Sequence, residues 1–499
     1  MLVSNERAGI RAKERPSVVS LARWPVLAIA AGVGLVLLLT SGGVGYFGDE
    51  LYFLAAGHHL DWGYADQGPL VPLLARAMDN VFPGSLVGQR LPATVLTTAG
   101  VVLAALIARE LGGQRRAQVL TAGTYAMASM GPGHLLTTVT VDMFLWVLAT
   151  WLLVRWVRLR DDRLLLWLGL VTAVALQTKW LIIAFWGVVA LSVLAVGPRE
   201  LLRRPLLWIS AALVAVATLP GLLWQAHHGW PQLTLAKVIA NEMDYIGGRW
   251  TFLPLMLLTA GLGVGTALFC YGLWRLLRCP QLRPYSFLGY TFVGLLILFL
   301  TIDGRFNYVS GFVALLLAVG AMEVERRELT RCWRWIRSWP ALALSAIIAL
   351  TTLPLLPVSW PTPARPVSLA SLGWPEETET VAGAYRALPP VSRDNTVVVT
   401  EWYWDAAAID RFGAARGLPH AYSAHRGYWY FGAPPDDAGT ILFVGSDHAY
   451  LGRYFTEVRQ VATVTTGPMM NLFSRPTPVW LCSGQRAPWS RLWPQLRHL

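Results

Sequence analysis

Aspartate and glutamate stand side by side in Tyr46-Phe47-Gly48-Asp49-Glu50-Leu51-Tyr52-Phe53, just after the chain's first long apolar run. Charge next to a bilayer needs a reason, since a carboxylate at a helix centre costs roughly 2.5–3.5 kcal/mol on insertion scales. Further unusual polar residues punctuate the chain: His58, His59, Asp61, Asp66 and Gln67, then His134 and Asp142, Lys179, the group His227, His228, Glu242 and Asp244, and finally Asp303 and Arg305. Lysine is scarce, present only as Lys13, Lys179 and Lys237, so Lys179 stands out. Taken together these side chains supply an acid, a base and a cation. Each has a plainer explanation alone. Asp49 and Glu50 suit the N-terminus of a helix starting near Leu51, Asp142 suits the start of a span, and Lys179 suits an interface where its stem snorkels. Adjacent histidines on a helix point about 100° apart, which argues against a metal pair.

The elements that must position these groups are membrane helices. The 499 residues are 55% hydrophobic and 14% charged, with mean hydropathy +0.47, the profile of a polytopic membrane protein. The net charge of +12 does not indicate nucleic-acid binding, because the basic residues sit between apolar runs rather than along one stripe. Cys270, Cys279, Cys332 and Cys482 have no metal-site spacing.

Apolar runs of spanning length fall near residues 25–43, 90–108, 117–132, 138–154, 164–178, 180–197, 206–223, 252–274, 285–301, 307–322 and 340–358. This predicts about eleven transmembrane helices. A basic tail over residues 1–24 precedes the first run, which reads as an uncleaved signal anchor. With that tail cytoplasmic, alternate loops place 23 basic residues inside and 6 outside. The rule puts Asp49, Glu50, His134, Lys179 and Arg305 at the outer face, with Asp142 about one turn inside the fourth span. The first outer segment, 44–89, is too long for a connector. Leu51–Leu60 and Leu70–Val81 read as amphipathic helices lying on the membrane, separated by Gly68-Pro69.

The transmembrane unit is expected over residues 25–360. Pro354, Pro357, Pro361, Pro363 and Pro366 then form a stiff linker. Residues 361–499 have the pattern of a soluble α/β domain, exported by the same charge rule. Thr396–Thr400 and Thr440–Gly445 read as buried strands and Trp404–Phe412 as a helix. Trp402, Trp404, Trp429 and Tyr430 are core residues, a cover for the site or a grip on a glycan.

These residues, in order, resemble the bacterial family 39 glycosyltransferases, relatives of the protein O-mannosyltransferases and aminoarabinose transferases. The resemblance runs through Phe47–Phe53, Gly63-Tyr64-Ala65-Asp66-Gln67-Gly68-Pro69-Leu70, Ala108-Arg109-Glu110-Leu111-Gly112-Gly113, Asp142-Met143-Phe144-Leu145-Trp146, Gln177-Thr178-Lys179-Trp180 and Asn307-Tyr308. Glu401-Trp402-Tyr403-Trp404-Asp405 and Tyr422-Ser423-Ala424-His425 resemble the exported tail of one branch. The resemblance implies the GT-C fold, a polyprenyl-phosphate-linked sugar donor, and inverting transfer at the outer face. It implies Asp49 as general base, Glu50 as its acidic partner, a metal ligand or a helix cap, and Asp142 as the second acid. Lys179 and Tyr308 would lie near the lipid phosphate, with Tyr64, Gln67 and His134 as further substrate contacts. Where some members carry lysine, this chain has Gln67, and Arg305 is expected to supply the missing charge.

The chemistry is consistent with those residue types. A lipid phosphate leaves as a stabilised anion and needs cations, and an acceptor hydroxyl needs a base. A single displacement inverts the anomeric carbon without a covalent nucleophile. Mg or Mn bridging Asp49, Glu50 or Asp142 to phosphate is a further option. The acceptor is open among glycan, glycolipid and protein, and membrane lipid is an expected partner. The expected location is a bacterial plasma membrane, with the N-terminus cytoplasmic and the C-terminal domain extracytoplasmic. A lipid-linked sugar flippase shares the spans and cations but has no need of an outer acid pair in a long loop. A non-catalytic envelope assembly protein leaves Asp142 and Lys179 unexplained.

Overall fold

The computed structural model describes residues 19–245, 248–261, 263–327 and 331–499. Residues 1–18 of the expected basic tail, and the side chains of Asp244 and Cys332, lie outside that description. All eleven apolar runs form helix. In chain order the helices are α1 (Arg23–Thr40), α2 (Gly48–His58), α3 (Leu70–Val81), α4 (Leu86–Glu110), α5 (Arg115–Gly133), α6 (Thr138–Leu159), α7 (Arg163–Leu176), α8 (Leu181–Val196), α9 (Pro205–His227), α10 (Pro231–Tyr245), α11 (Gly248–Thr259), α12 (Val264–Arg278), α13 (Ser286–Thr301), α14 (Val313–Arg326) and α15 (Trp339–Leu350).

Among the described residues, six segments are long and apolar enough to cross a bilayer unbroken: α1, α4, α6, α9, and α13 and α14 with the short turns before them. The run at 252–274 is not a straight span. It breaks between α11 and α12 with a bend of 107°. The runs forming α7, α8 and α15 give shorter apolar helices of 14, 16 and 12 residues. Apolar surface left open agrees with lipid contact. Along α9 the exposed side chains include Trp208, Leu213, Val216, Leu219 and Leu223, a continuous apolar stripe that water would not favour. The chain is a multi-pass membrane protein.

Polar pairs mark two ends of the bundle. Arg90, near the start of α4, and Glu110, at its end, are separated by about 30 Å at the helical rise per residue. Glu110 bonds Arg155 at 2.6 Å and also Arg158, both late in α6. Glu323 bonds Arg275 at 2.6 Å, tying the end of α14 to the end of α12. The arginine-rich turns therefore gather at one end. The turns holding Asp49, Lys179 and Arg305 gather at the other, which is the segregation the charge alternation predicts.

The helix α2 departs from its predicted role. It is not a surface helix with one wet face, for all of its residues but Asp49 and His58 are buried. It packs between α3 and a helix of the C-terminal domain. Between Leu51 and Gly57 it carries only leucine, aromatic and small residues, with no polar face, and protein covers it on nearly every side.

The C-terminal domain opens with α16 (Arg365–Leu369), α17 (Trp374–Arg386) and α18 (Pro390–Arg393). Then follow β1 (Thr396–Thr400), α19 (Tyr403–Phe412), β2 (Ala421–Ser423), β3 (Thr440–Val444), β4 (Phe455–Val464) and β5 (Thr477–Gln485). The sheet order is β2-β1-β3-β5-β4. The strands β2, β1 and β3 run parallel, and β5 and β4 add antiparallel. The expected strands and helix form at the expected positions. The edge strand β4 escapes sequence patterning because it is largely exposed.

Candidate active site

Two glycine contacts bring the site together. Gly68 lies against the backbone of Gln177, where a Cβ would sit 2.2 Å from the Gln177 carbonyl oxygen. That approach lets the Gly68 and Leu70 amides donate to the Thr178 and Gln177 carbonyls, at 3.2 and 2.9 Å. The loop bearing Asp66 and Gln67 is thereby fixed to the turn bearing Lys179. Gly48 lies under the indole of Trp404, where a Cβ would come within 2.2 Å of the ring. This brings α19 down onto the first turn of α2.

Between these elements is a cavity of about 370 Å³. Asp49, Asp66, Gln67, Lys179, Arg305 and Tyr308 all line it, and Arg426 enters from the C-terminal domain. Most of the remaining wall is apolar and includes Leu181, Ala184, Ile239, Leu298 and Phe299 from α8, α10 and α13. One end is polar and charged; the other would accept hydrocarbon.

Asp49 is half-buried and held through one oxygen. Its Oδ1 accepts from the Tyr403 hydroxyl at 2.8 Å and from the Trp404 indole N–H at 2.9 Å. Among the described residues Oδ2 takes no such bond and is free to face a substrate. Lys179 lies 5.7 Å from the centre of the Tyr308 ring and in the field of Asp142, Arg305, Asp49 and Asp66. Arg305 donates to Glu242 of α10 at 2.6 Å. Asp142, predicted as the second acid, lies one turn beyond Thr138, which lines the cavity, but is not itself part of the lining. It is buried, and its Oδ1 lacks a hydrogen-bond partner. Gln67 is buried too, with its Nε2 unpartnered. Asp66 accepts from Tyr52 at 2.9 Å. Burial pushes its carboxyl up to about 6, against the pull of Arg426.

Three predicted site residues are elsewhere. Glu50, expected to act in catalysis or bind metal, is fully buried against Arg90, with Nη2 to Oε2 2.7 Å. It also accepts from the Leu136 amide at 3.1 Å and from the Phe47 amide at 3.0 Å, closing the start of α2. Its side chain turns the opposite way from Asp49 because neighbours on a helix diverge by about 100°. His134, expected at the substrate, lies behind Glu50, with its ring nitrogens 3.4 Å from Arg90 Nη1 and 3.5 Å from Thr40 Oγ1. Tyr64, also expected at the substrate, spends its hydroxyl on backbone: Asp61 N–H, and the carbonyls of Ala56 and His59. These residues set the scaffold under the cavity.

Reasoning from sequence missed Tyr403 and Arg426 as site residues. Tyr403 lies in the aromatic cluster Trp402-Tyr403-Trp404, the one signal that pointed there. Arg426 carries no sequence signal. Among the described residues no three His, Cys, Asp or Glu side chains cluster. With Glu50 withdrawn, the cavity presents Asp49 and Asp66 beside Lys179, Arg305 and Arg426, the two arginines being paired with Glu242.

Residues 66–224 match the sequence profile of the dolichyl-phosphate-mannose-protein mannosyltransferase family. No curated protein matches the chain by sequence. The fold is similar to that of ArnT from Cupriavidus metallidurans in its apo state, with TM-score 0.62, 14% identity, and coverage of 91% of this chain and 97% of that one. The structure of the same ArnT bound to undecaprenyl phosphate matches at TM-score 0.60, with equal identity and coverage. The profile match is confined to residues 66–224, and over nearly the whole chain the helical bundle with its small C-terminal sheet has a fold similar to that of ArnT.

Proposed function

We propose that this protein is an inverting glycosyltransferase that moves a sugar from a polyprenyl-phosphate carrier to an acceptor hydroxyl. The observation that carries the reading is a carboxylate, Asp49, fixed by two donors at the mouth of a cavity whose walls are cationic at one end and apolar along the rest. The solved ArnT holding undecaprenyl phosphate supports the same class of donor.

In this reading the polyprenyl chain lies along Leu181, Ala184, Leu298 and Phe299, and its phosphate meets Lys179 and Arg305. The acceptor hydroxyl attacks the anomeric carbon while the bond from that carbon to the phosphate oxygen breaks. The electron pair leaves with the phosphate, and Lys179 and Arg305 offset the charge that develops there. The hydroxyl proton passes to Asp49 Oδ2. Tyr403 and Trp404 fix the carboxylate's orientation, which limits reorganisation during transfer. Gln67, with a buried polar atom to spare, orients the sugar hydroxyls, and Asp142 acts from behind the lining through its charge on Lys179. No step needs a metal.

The charge alternation puts this end of the bundle outside a bacterial plasma membrane, with the N-terminus cytoplasmic and the C-terminal domain extracytoplasmic. A flippase would have no use for a carboxylate held rigid by two donors. The test is mass spectrometry of membrane lipids and envelope glycans with and without the protein. Loss of one envelope sugar together with accumulation of its polyprenyl-phosphate form supports transfer. Unchanged lipids and glycans contradict it.

A further inference from the structure

Arg426 is a peculiar residue in a peculiar place. It belongs to the soluble domain yet lines the membrane-side cavity. Its backbone is in the left-handed region, φ +49°, a conformation that non-glycine residues adopt at a cost and keep only when neighbours hold it. The neighbours are visible. The Arg426 amide donates to the His498 carbonyl at 2.9 Å, and the His498 amide donates to Ala424 at 3.1 Å, so the chain's last residues pin the turn. The side chain crosses the face of Tyr403, 5.1 Å from the ring centre, and donates to the Tyr403 hydroxyl at 3.2 Å. The same hydroxyl donates to Asp49.

Glu242 joins two arginines. One of its carboxylate oxygens bonds Arg305 and the other bonds Arg426. It comes from α10, which is otherwise tied to the loop of Gln67 by Gln232. A carboxylate bridging two guanidinium groups has the shape and charge of a bound phosphate. It leaves donors over, however: Arg426 Nε is buried without a partner. A phosphate carries more acceptor oxygens than a carboxylate and can engage such donors bidentately. Glu242 and Arg305 are each more than a third exposed, and an ion pair of that kind contributes little to stability; Arg426, at 16% exposure, is the more buried arm and the one that a phosphate would have to take over from Glu242.

We propose that Arg426 and Arg305 form a phosphate clamp for the lipid carrier, and that Glu242 occupies the clamp until the carrier's phosphate displaces it. The C-terminal domain then contributes directly to donor recognition. The clamp rests on the reading of the site as one for a polyprenyl-phosphate donor.

The test measures binding of a polyprenyl monophosphate, with the unphosphorylated polyprenol as control, to the full-length protein in lipid nanodiscs. Arg426→Ala should weaken binding about tenfold or more, the scale of losing one charged hydrogen-bonded contact. Glu242→Gln, nearly isosteric, should tighten it by about the same factor, because the internal competitor is gone. Most of that gain should be lost in the double variant, because it depends on Arg426 being present to receive the phosphate. An unchanged or weakened affinity in Glu242→Gln overturns the clamp, whether or not Arg426→Ala folds. A gain of equal size without Arg426 overturns direct displacement. Wild-type protein that does not distinguish polyprenyl phosphate from polyprenol overturns both the clamp and the donor reading. Selective wild-type binding that ignores both substitutions overturns the clamp alone.

Discussion

Tyr403 donates a 2.8 Å hydrogen bond to Asp49 across 354 residues of sequence. The bond joins the first turn after the first membrane helix to a helix of the soluble domain. The candidate base is therefore held by the C-terminal domain, and removing that domain would leave Asp49 without both of its donors.

Loss of the Tyr403 hydroxyl is expected to act on turnover. A hydrogen bond to a charged group contributes about 1.5–3 kcal/mol, so Tyr403→Phe should lower kcat roughly tenfold or more while leaving donor KM near the wild-type value. Steady-state kinetics at several donor concentrations separates the two parameters. A change confined to KM would assign Tyr403 to substrate binding.

Lys179 should have the complementary signature. Lys179→Ala removes a cation from the leaving-group end of the cavity, so donor binding and the rate of transfer should both fall. Lys179→Arg should retain part of each, because it keeps the charge but not the geometry. Equal activity in Lys179→Ala and wild type would remove Lys179 from the site.

Glu50 should behave as a structural residue. Glu50→Gln leaves the Arg90 guanidinium buried without its counter-ion, and breaking a pair of this kind costs about 3–5 kcal/mol. Thermal unfolding in detergent should show a large loss of stability, partly recovered when Arg90 is also neutralised. The protein that remains folded should keep near-normal specific activity. A stable but inactive Glu50→Gln would return Glu50 to the chemistry.

Asp66 gives a pH dependence with a definite sign. Burial raises its folded-state pKa to about 6, above the ordinary 3.8 of the unfolded chain. Its contribution to stability is thus fully present below the unfolded value and is lost as pH rises through the folded one. Asp66→Asn keeps an acceptor for Tyr52 and removes the ionisation. The variant should be more stable than wild type at pH 8, and the difference should shrink by pH 5. A difference that grows toward acid pH would contradict the assignment.

Hydropathy and charge alternation made much of this architecture legible from sequence. Both report which residues are shielded and which loop ends share a side, and so Asp49, Gln67, Lys179 and Arg305 could be grouped before any contact was known, with Tyr308 added only by the family resemblance. The break between α11 and α12 was hidden because its apolar composition is continuous. Glu50 and His134 fall outside the cavity because Arg90, which reads as an outer-loop charge at the edge of an apolar run, turns inward to pair with them, and nothing in composition reveals a buried ion pair forty residues distant. Arg426 was missed for the opposite reason. An arginine in a soluble domain is ordinary until the fold carries it to a membrane cavity.

The central claim is that Asp49 takes the acceptor's proton while a polyprenyl phosphate departs. Its most direct test is release of polyprenyl phosphate from the lipid-linked sugar in the presence of acceptor, followed by mass spectrometry, for wild type and Asp49→Asn. The account predicts that both proteins bind the donor, that wild type releases the carrier, and that Asp49→Asn is slower by about 10²–10⁴-fold, the usual range for a general base. Equal rates of release from the two folded proteins would contradict it.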